Sequence, residues 1–239
     1  MNSTGYGGAL GILGGMGPSA SAGFLQTLYE TAAEQAGPFA EQALPRCLLD
    51  SDPAFPDRTE AIRTGGEAEF TERLARRLAG LEDLGASRIV VACVTAHHFL
   101  GRLDPARRAR VISLVDVILD DLEAVGAEER LLLVATHGTR DARILEQTAR
   151  WSAVAHRVVL PGPEVQETLH QLLYQMKWEP VTDEIAARFM RIATDHGCQG
   201  LVAGCTEVHL LTRLLRGGGY RIVDPLLTIA TQLKSLLAE

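Results

Sequence analysis

IVVACVTAHHF, Ile89 to Phe99, carries an apolar β-branched run into a cysteine at the point where a helical pattern begins. The arrangement returns late in the chain, where LVAGCTEVHLL, Leu201 to Leu211, ends a second apolar run on Gly204 and Cys205. In each copy a histidine stands four positions beyond the cysteine, His97 in the first and His209 in the second. Two copies of strand, cysteine and helix imply two similar halves, and a residue that closes a parallel strand faces the crevice where α/β sheets hold ligands.

Working outward, short apolar runs alternate with longer amphipathic ones. Strands are expected at Leu10–Leu13, Arg46–Leu49, Arg88–Ala92, Arg110–Ile112, Leu131–Ala135, Ala155–Val159, Gly200–Ala203 and Tyr220–Val223. Helices are expected at Ala20–Gln35, Glu67–Leu84, Leu114–Ala124, Asp141–Arg150, Glu164–Met176, Asp183–Asp195 and Pro225–Leu237. The alternation predicts an α/β protein of two similar three-layer α/β/α domains with mostly parallel sheets and an active site in the cleft between them. The expected division is 1–112, with 224–239 returning to pack on it, and 113–223.

With 239 residues and 46% hydrophobic content the chain is long enough to bury a sizeable core. A formal net charge of −7, with runs such as Arg73–Arg77 interleaved with apolar residues, argues against nucleic acid and anionic membrane as partners. No apolar run approaches the ~18 residues of a membrane span, and MNSTGYGGAL lacks the order of a signal peptide, so a cytoplasmic protein is expected. Four cysteines, Cys47, Cys93, Cys198 and Cys205, are too few for a disulfide scaffold in a chain of this length.

Three readings of Cys93 and Cys205 stand side by side. Most free cysteines are small buried hydrophobes. Together with His97 and His209 the pair has the composition of a Cys₂His₂ zinc set, although four ligands drawn from two distant segments would have to converge at ~2 Å. The third reading is an acid and a base. One thiolate removes a proton from one face of a carbon and the opposite thiol returns one to the other face, which inverts the centre and in principle needs no cofactor. A helix N-terminus beside each sulfur would favour the thiolate.

GILGGMGPSAS (Gly11–Ser21), SDPAFPDRT (Ser51–Thr59), ACVTAHHF (Ala92–Phe99), VATHGT (Val134–Thr139), GCTEV (Gly204–Val208) and VDP (Val223–Pro225) follow one another in an order that resembles the aspartate/glutamate racemase family, and within it the aspartate racemase branch. The resemblance spans nearly the whole chain. It implies an isomerase acting on an amino acid without pyridoxal phosphate or metal, commonly as a homodimer, with Cys93 and Cys205 as the two acid/base thiols. It also implies that Arg58 binds a substrate carboxylate, which a guanidinium fork suits. Met16 and Gly17 of the glycine loop, and Thr59, Thr95, Thr136, Thr139 and Thr206, become candidate substrate contacts, each threonine being equally eligible as a helix N-cap. Glu207 is a candidate for orienting a thiol or an ammonium group. His97 would hold a thiolate by charge or pack in the core.

Three positions depart from the family pattern. Val94 follows the first cysteine where asparagine is usual, Asp52 replaces the asparagine of Ser-Asn-Pro, and Lys177 lies one residue closer to Tyr174 than the family's basic residue does. Val94 and Asp52 therefore predict a specificity shifted away from free aspartate. Two alternatives remain: a non-catalytic amino-acid-binding protein, and an NAD(P)-binding protein whose phosphate loop would be Gly15-x-Gly17-x-x-Ala20. The second is weakened by Pro18 in the turn, and by Asp50, the acid ending the next strand, lying far beyond the expected ~20 positions.

Overall fold

The computed structural model describes residues 6–36, 41–126 and 128–238; Met1 to Gly5, read above for a leader, lie outside the described residues. Two parallel sheets organise the chain. The first has the order β2-β1-β3, from Ala9–Gly14 (β1), Cys47–Ser51 (β2) and Ala86–Val91 (β3). The second has the order β5-β4-β6-β7, from Leu131–Ala135 (β4), Val158–Val159 (β5), Gly200–Gly204 (β6) and Arg221–Val223 (β7). The inner strands β1, β4 and β6 are buried at every position. That is why they read as unbroken apolar runs, since a parallel strand is covered on both faces.

Helices cover the sheets in chain order: α1 (Pro18–Ala36), α2 (Arg58–Thr64), α3 (Glu67–Asp83), α4 (His97–Leu100), α5 (Pro105–Arg110), α6 (Leu114–Glu123), α7 (His137–Asp141), α8 (Trp151–Val154), α9 (Pro163–Gln175), α10 (Asp183–Asp195), α11 (Val208–Leu214) and α12 (Pro225–Leu236). Helix α3 buries Phe70, Leu74, Leu78 and Leu81, spaced along one helical stripe, on the outer face of the first sheet. Helices α9 and α10 cover the outer face of the second sheet through Leu169, Leu173, Phe189 and Met190. The inner faces of both sheets share one core with α1, α6 and α12, in which Leu10, Ile12 and Val90 meet Leu131, Leu133 and Val202. Helix α12 packs on both α1 and α6. Among the described residues no helix is long and apolar enough to cross a membrane.

Helix starts follow the capping residues. Asp57, Asp104, Ser113, Thr182 and Asp224 each accept from a backbone N–H of the first turn. Three expectations differ from the structure. Arg110–Ile112 is not a strand: Arg110 ends α5, and a single bridge joins Val111 to Ile89. Asp141–Arg150 is not a helix, because Arg143 adopts φ 49° and turns the chain so that Ile144 and Leu145 enter the core. Ala155–Val159 is a strand only at its last two residues, the first three forming a 3₁₀ turn.

Candidate active site

The strands among the described residues run parallel within their sheets, so their carboxyl ends open toward a common region. Cys93 lies just past β3 and Cys205 just past β6, each 6% exposed. Both thiols line one small chamber with Met16, Asp57, Arg58, Thr59, Thr95, Thr136, Tyr174, Lys177 and Glu207. The chamber therefore draws on the loops after β1 and β2, on both cysteine turns, on the end of β4 and on the end of α9. The helices after the cysteines are short, four residues in α4 and seven in α11. Their dipoles consequently contribute less to a thiolate than the sequence suggested.

The two sulfurs have different neighbours. Cys205 Sγ donates to Glu207 Oε2 at 2.8 Å. Burial first, and the Glu207 charge second, push the Cys205 thiol well above its ordinary range, against a weaker pull from Lys177. The other Glu207 oxygen is buried without a hydrogen-bond partner. It lies against Gly17, where an added Cβ would come within 1.9 Å of it, so glycine is needed there to admit the carboxylate.

On the facing side, Arg58 is 9% exposed and donates through Nη2 to the Met16 carbonyl at 2.8 Å and through Nη1 to the Pro56 carbonyl at 3.2 Å. Burial opposes its charge, but the neighbouring Cys93, Asp57 and Glu207 more than compensate and keep the guanidinium firmly protonated. Asp57 caps α2 through the Glu60 amide and accepts from the Tyr174 hydroxyl at 2.6 Å, a bond between the two halves. Burial works against ionisation of Asp57 too, yet Tyr174, the Glu60 amide, Arg58 and Lys177 hold its carboxyl below the usual range. Lys177 Nζ sits 4.0 Å from the centre of the Tyr174 ring.

Thr95, Thr136 and Thr139 bond one another, while Thr206 and Thr59 bond backbone groups. Thr95 Oγ1 lies 2.8 Å from that of Thr139 and 3.1 Å from that of Thr136, and Thr139 donates to the Gly204 carbonyl at 3.3 Å. Thr206 donates to the Ala92 carbonyl at 3.1 Å, and Thr59 accepts from the Gly138 amide at 3.2 Å. Thr136 occupies the N-cap position of α7 without a side-chain cap bond. These contacts join strand ends of the two halves, leaving Thr59, Thr95 and Thr136 on the chamber wall and Thr139 and Thr206 behind it.

Two residues expected at the pocket are directed elsewhere. Val94 is 1% exposed in the shared core and turns away from the chamber, so it offers no surface to a substrate. Asp52 is engaged by Arg73 at 2.7 Å and by Arg77 at 2.9 Å, on the α3 side, and also accepts from the Ala54 amide at 3.0 Å. Arg73 leads the causes that hold its carboxyl below the usual range, so its charge is neutralised outside the chamber. Both observations remove the ground on which Val94 and Asp52 predicted a specificity shifted away from free aspartate. Lys177 does line the chamber despite its shifted spacing. Asp57 and Tyr174 were missed as site residues, although Asp57 stands in the quoted Pro-Asp-Arg-Thr and a β2-to-α2 turn was the signal available for it.

The other readings of the motifs meet specific obstacles. The Leu114 amide donates to His97 Nε2 at 3.0 Å, so the proton is on Nδ1, which faces the Cys93 carbonyl at 3.0 Å. His97 is neutral, burial lowering its pKa to about 4, and it supports the cysteine turn through the backbone instead of through charge. His209 places its ring nitrogens on Asp224 at 2.6 Å and Thr27 at 2.9 Å. All four imidazole nitrogens are thus committed away from the thiols. In the glycine loop, Gly15 has φ 85° and its Cα faces the Asp52 backbone, while Gly17 faces the Glu207 carboxylate. The space a pyrophosphate would need is taken by protein and by a negative charge.

The sequence profile described as Asp/Glu/hydantoin racemase matches residues 13–233. The chain belongs to that family. Its activity is that of a racemase, an isomerase, and its α/β fold recurs in solved members. An aspartate racemase from Picrophilus torridus is 22% identical, with a TM-score of 0.77 over 98% of this chain and 100% of that one. A glutamate racemase from Francisella tularensis, solved with D-glutamate, is 16% identical, with a TM-score of 0.65 over 97% and 81%. An allantoin racemase from Klebsiella pneumoniae is 16% identical, with a TM-score of 0.54 over 96% and 87%. At these identities the likeness speaks for the fold of this family member and leaves its substrate to the site.

Proposed function

We propose that this racemase inverts the α-carbon of an acidic amino acid, of the aspartate or glutamate type, with Cys93 and Cys205 as the paired acid and base. The observation that carries this reading is the convergence of both strand-end thiols on one chamber that also holds Arg58 and Lys177. The two cations match two carboxylates. The unpartnered Glu207 oxygen supports a contact with the substrate ammonium.

In one direction the Cys93 thiolate takes the Cα proton, and the electron pair left on carbon spreads into the α-carboxylate, stabilised by the cationic neighbours. The Cys205 S–H then donates its proton to the opposite face. Cys205 is suited to this role because its hydrogen bond to Glu207 keeps the proton on sulfur. In the reverse direction the Cys205 thiolate left by that transfer takes the Cα proton, and the Cys93 thiol formed in the first step returns one to the opposite face. Met16 and the threonines act as walls and donors, and the 1–112 and 113–223 halves act as the two faces of the cleft. By the same reading the enzyme works as a cytoplasmic homodimer without a cofactor.

Incubation with L- and D-aspartate and glutamate in D₂O tests the reading, NMR reporting deuterium at Cα alongside chiral analysis. The expected result is exchange together with inversion. Saturable binding of the same amino acids with no Cα exchange would support the non-catalytic binding alternative and overturn the proposal.

A further inference from the structure

The inner chamber is nearly full, with a free volume of about 10 Å³, on the order of one water, so its walls must part to admit the head of an amino acid. Immediately outside it lies a second cavity of about 400 Å³ that shares Met16, Asp57, Arg58, Tyr174 and Lys177 with the chamber. The residues the outer cavity adds are of a different character. Pro18, Pro53, Phe55 and Trp178 line it, and Trp178 is 77% exposed. A free amino acid bound among the thiols would leave this apolar surface in water.

The outer wall is held in place before any ligand arrives. Asp52, clamped by Arg73 and Arg77, accepts from the Phe55 amide through its own carbonyl at 3.5 Å, and its backbone packs on Gly15. Phe55 is fixed between the Phe70 ring, 5.4 Å away, and the Arg73 guanidinium, 5.0 Å from its centre. Opposite them, Trp178 follows the end of α9 and donates its backbone N–H to the Gln175 carbonyl at 3.1 Å. A preformed apolar recess beside a few convergent charges is what a ligand with a polar head and an apolar tail requires.

We propose that the substrate is an acidic amino acid bearing a planar, apolar extension, and that the extension occupies the outer cavity against Met16, Phe55 and Trp178. The proposal rests on the racemase reading for the amino-acid head and adds the class of the tail. Arg58 and Lys177, at the boundary of the two cavities, hold the head's carboxylate while the tail leaves toward Trp178. The attachment point is the α-nitrogen, as in an N-acyl derivative, which keeps both carboxylates for the two cations and an amide N–H to donate to Glu207.

The full chain carrying Trp151→Phe retains Trp178 as its single tryptophan, the sequence having two. Titration of its fluorescence with N-benzoyl-aspartate, aspartate β-anilide and aspartate reads occupancy of the outer cavity without turnover, and Cα exchange in D₂O is measured on the same ligands. N-benzoyl-aspartate is expected to shift the emission with saturation at a concentration at least tenfold below that for aspartate, and below that for the β-anilide, which lacks the second carboxylate. Trp178→Ala in the natural chain, at an exposed position and read by calorimetry because the reporting tryptophan is gone, should reduce the preference for that probe over aspartate by roughly tenfold, the order a hydrophobic subsite supplies. Equal affinity for all three ligands, or a preference unchanged by Trp178→Ala, would overturn the proposal. Tight binding of an extended probe without Cα exchange would instead count against the racemase reading and leave the subsite standing.

Discussion

Cys93 and Cys205 close equivalent strands of two sheets, and a histidine follows each at the same distance, yet the two turns are built differently. Two positions beyond Cys205 stands Glu207, which accepts from the thiol; two positions beyond Cys93 stands Thr95, which bonds other threonines. His97 is held by two backbone groups, whereas His209 is held by the side chains of Asp224 and Thr27. The repeat thus brings two thiols to one chamber, and the residues around Cys205 favour its protonated form. In the proposed two-base inversion unlike surroundings at matched positions serve a purpose, because two thiols in the same state cannot complete a turnover.

The largest effect expected from this comparison is loss of inversion in Cys93→Ala and Cys205→Ala, each by at least ~10³-fold, in the range a positioned acid or base supplies. The thermal midpoint should change little, since both side chains line a chamber. Chiral analysis should show no racemisation, while Cα exchange with one enantiomer survives in each mutant, opposite enantiomers for the two. Normal racemisation in both would break the comparison.

Glu207→Gln sharpens it. Removing that carboxylate's charge should lower the Cys205 thiol's pKa, visible as thiolate absorbance appearing at lower pH, and slow both directions by about tenfold or more. An unchanged titration would show that burial alone sets the Cys205 proton.

The histidines offer a contrast in acid stability. His97 is neutral in the fold, with a pKa near 4 against an ordinary value of 6.5, so the unfolded chain binds its proton first. The contribution of His97 is therefore complete above pH ~6.5 and disappears as pH falls toward 4, costing on the order of 2 kcal/mol once the partial exposure of the ring is allowed for. Denaturant melts of the natural chain and of His97→Gln across this window should converge at low pH. Parallel curves would mean that His97 does not titrate.

Arg58→Lys should weaken acidic substrates by about 1.5–3 kcal/mol relative to neutral analogues, because lysine cannot reproduce the fork. A ratio of KM values separates this from the general loosening caused by releasing the Met16 and Pro56 carbonyls. The smallest effect concerns Val94→Asn, which buries an amide among apolar neighbours and should cost about 1–3 kcal/mol of stability without improving aspartate turnover. A gain in kcat/KM on aspartate would show that position 94 does face the substrate.

The fold was legible in the runs that parallel sheets bury on both faces. LLLVA and LVAG could not be surface strands, and α3, α9, α10 and α12 carried apolar stripes that survive nearly residue for residue. Arg110–Ile112 and Asp141–Arg150 misled because short β-branched or amphipathic runs are ambiguous locally, and packing of Ile144 and Leu145 overrode helix propensity. At the site, the resemblance to the racemases supplied Cys93, Cys205 and Arg58 as candidates. It did not indicate that Asp57 and Tyr174 bond across the halves, since they lie far apart in sequence and no periodicity links them.

By itself the sequence determined that there would be two strand-end cysteines on a repeated α/β unit, because a strand's burial and a helix's stripe are written in spacing along the chain. The tertiary structure decided which way each side chain at those ends would point. Val94 went to the core and Asp52 to Arg73 and Arg77, while Glu207 found room beside Cys205 only because Gly17 of a distant loop lacks a side chain. Such choices depend on contacts between segments brought together only by packing, and free energy assigned to those contacts leaves no trace in local pattern.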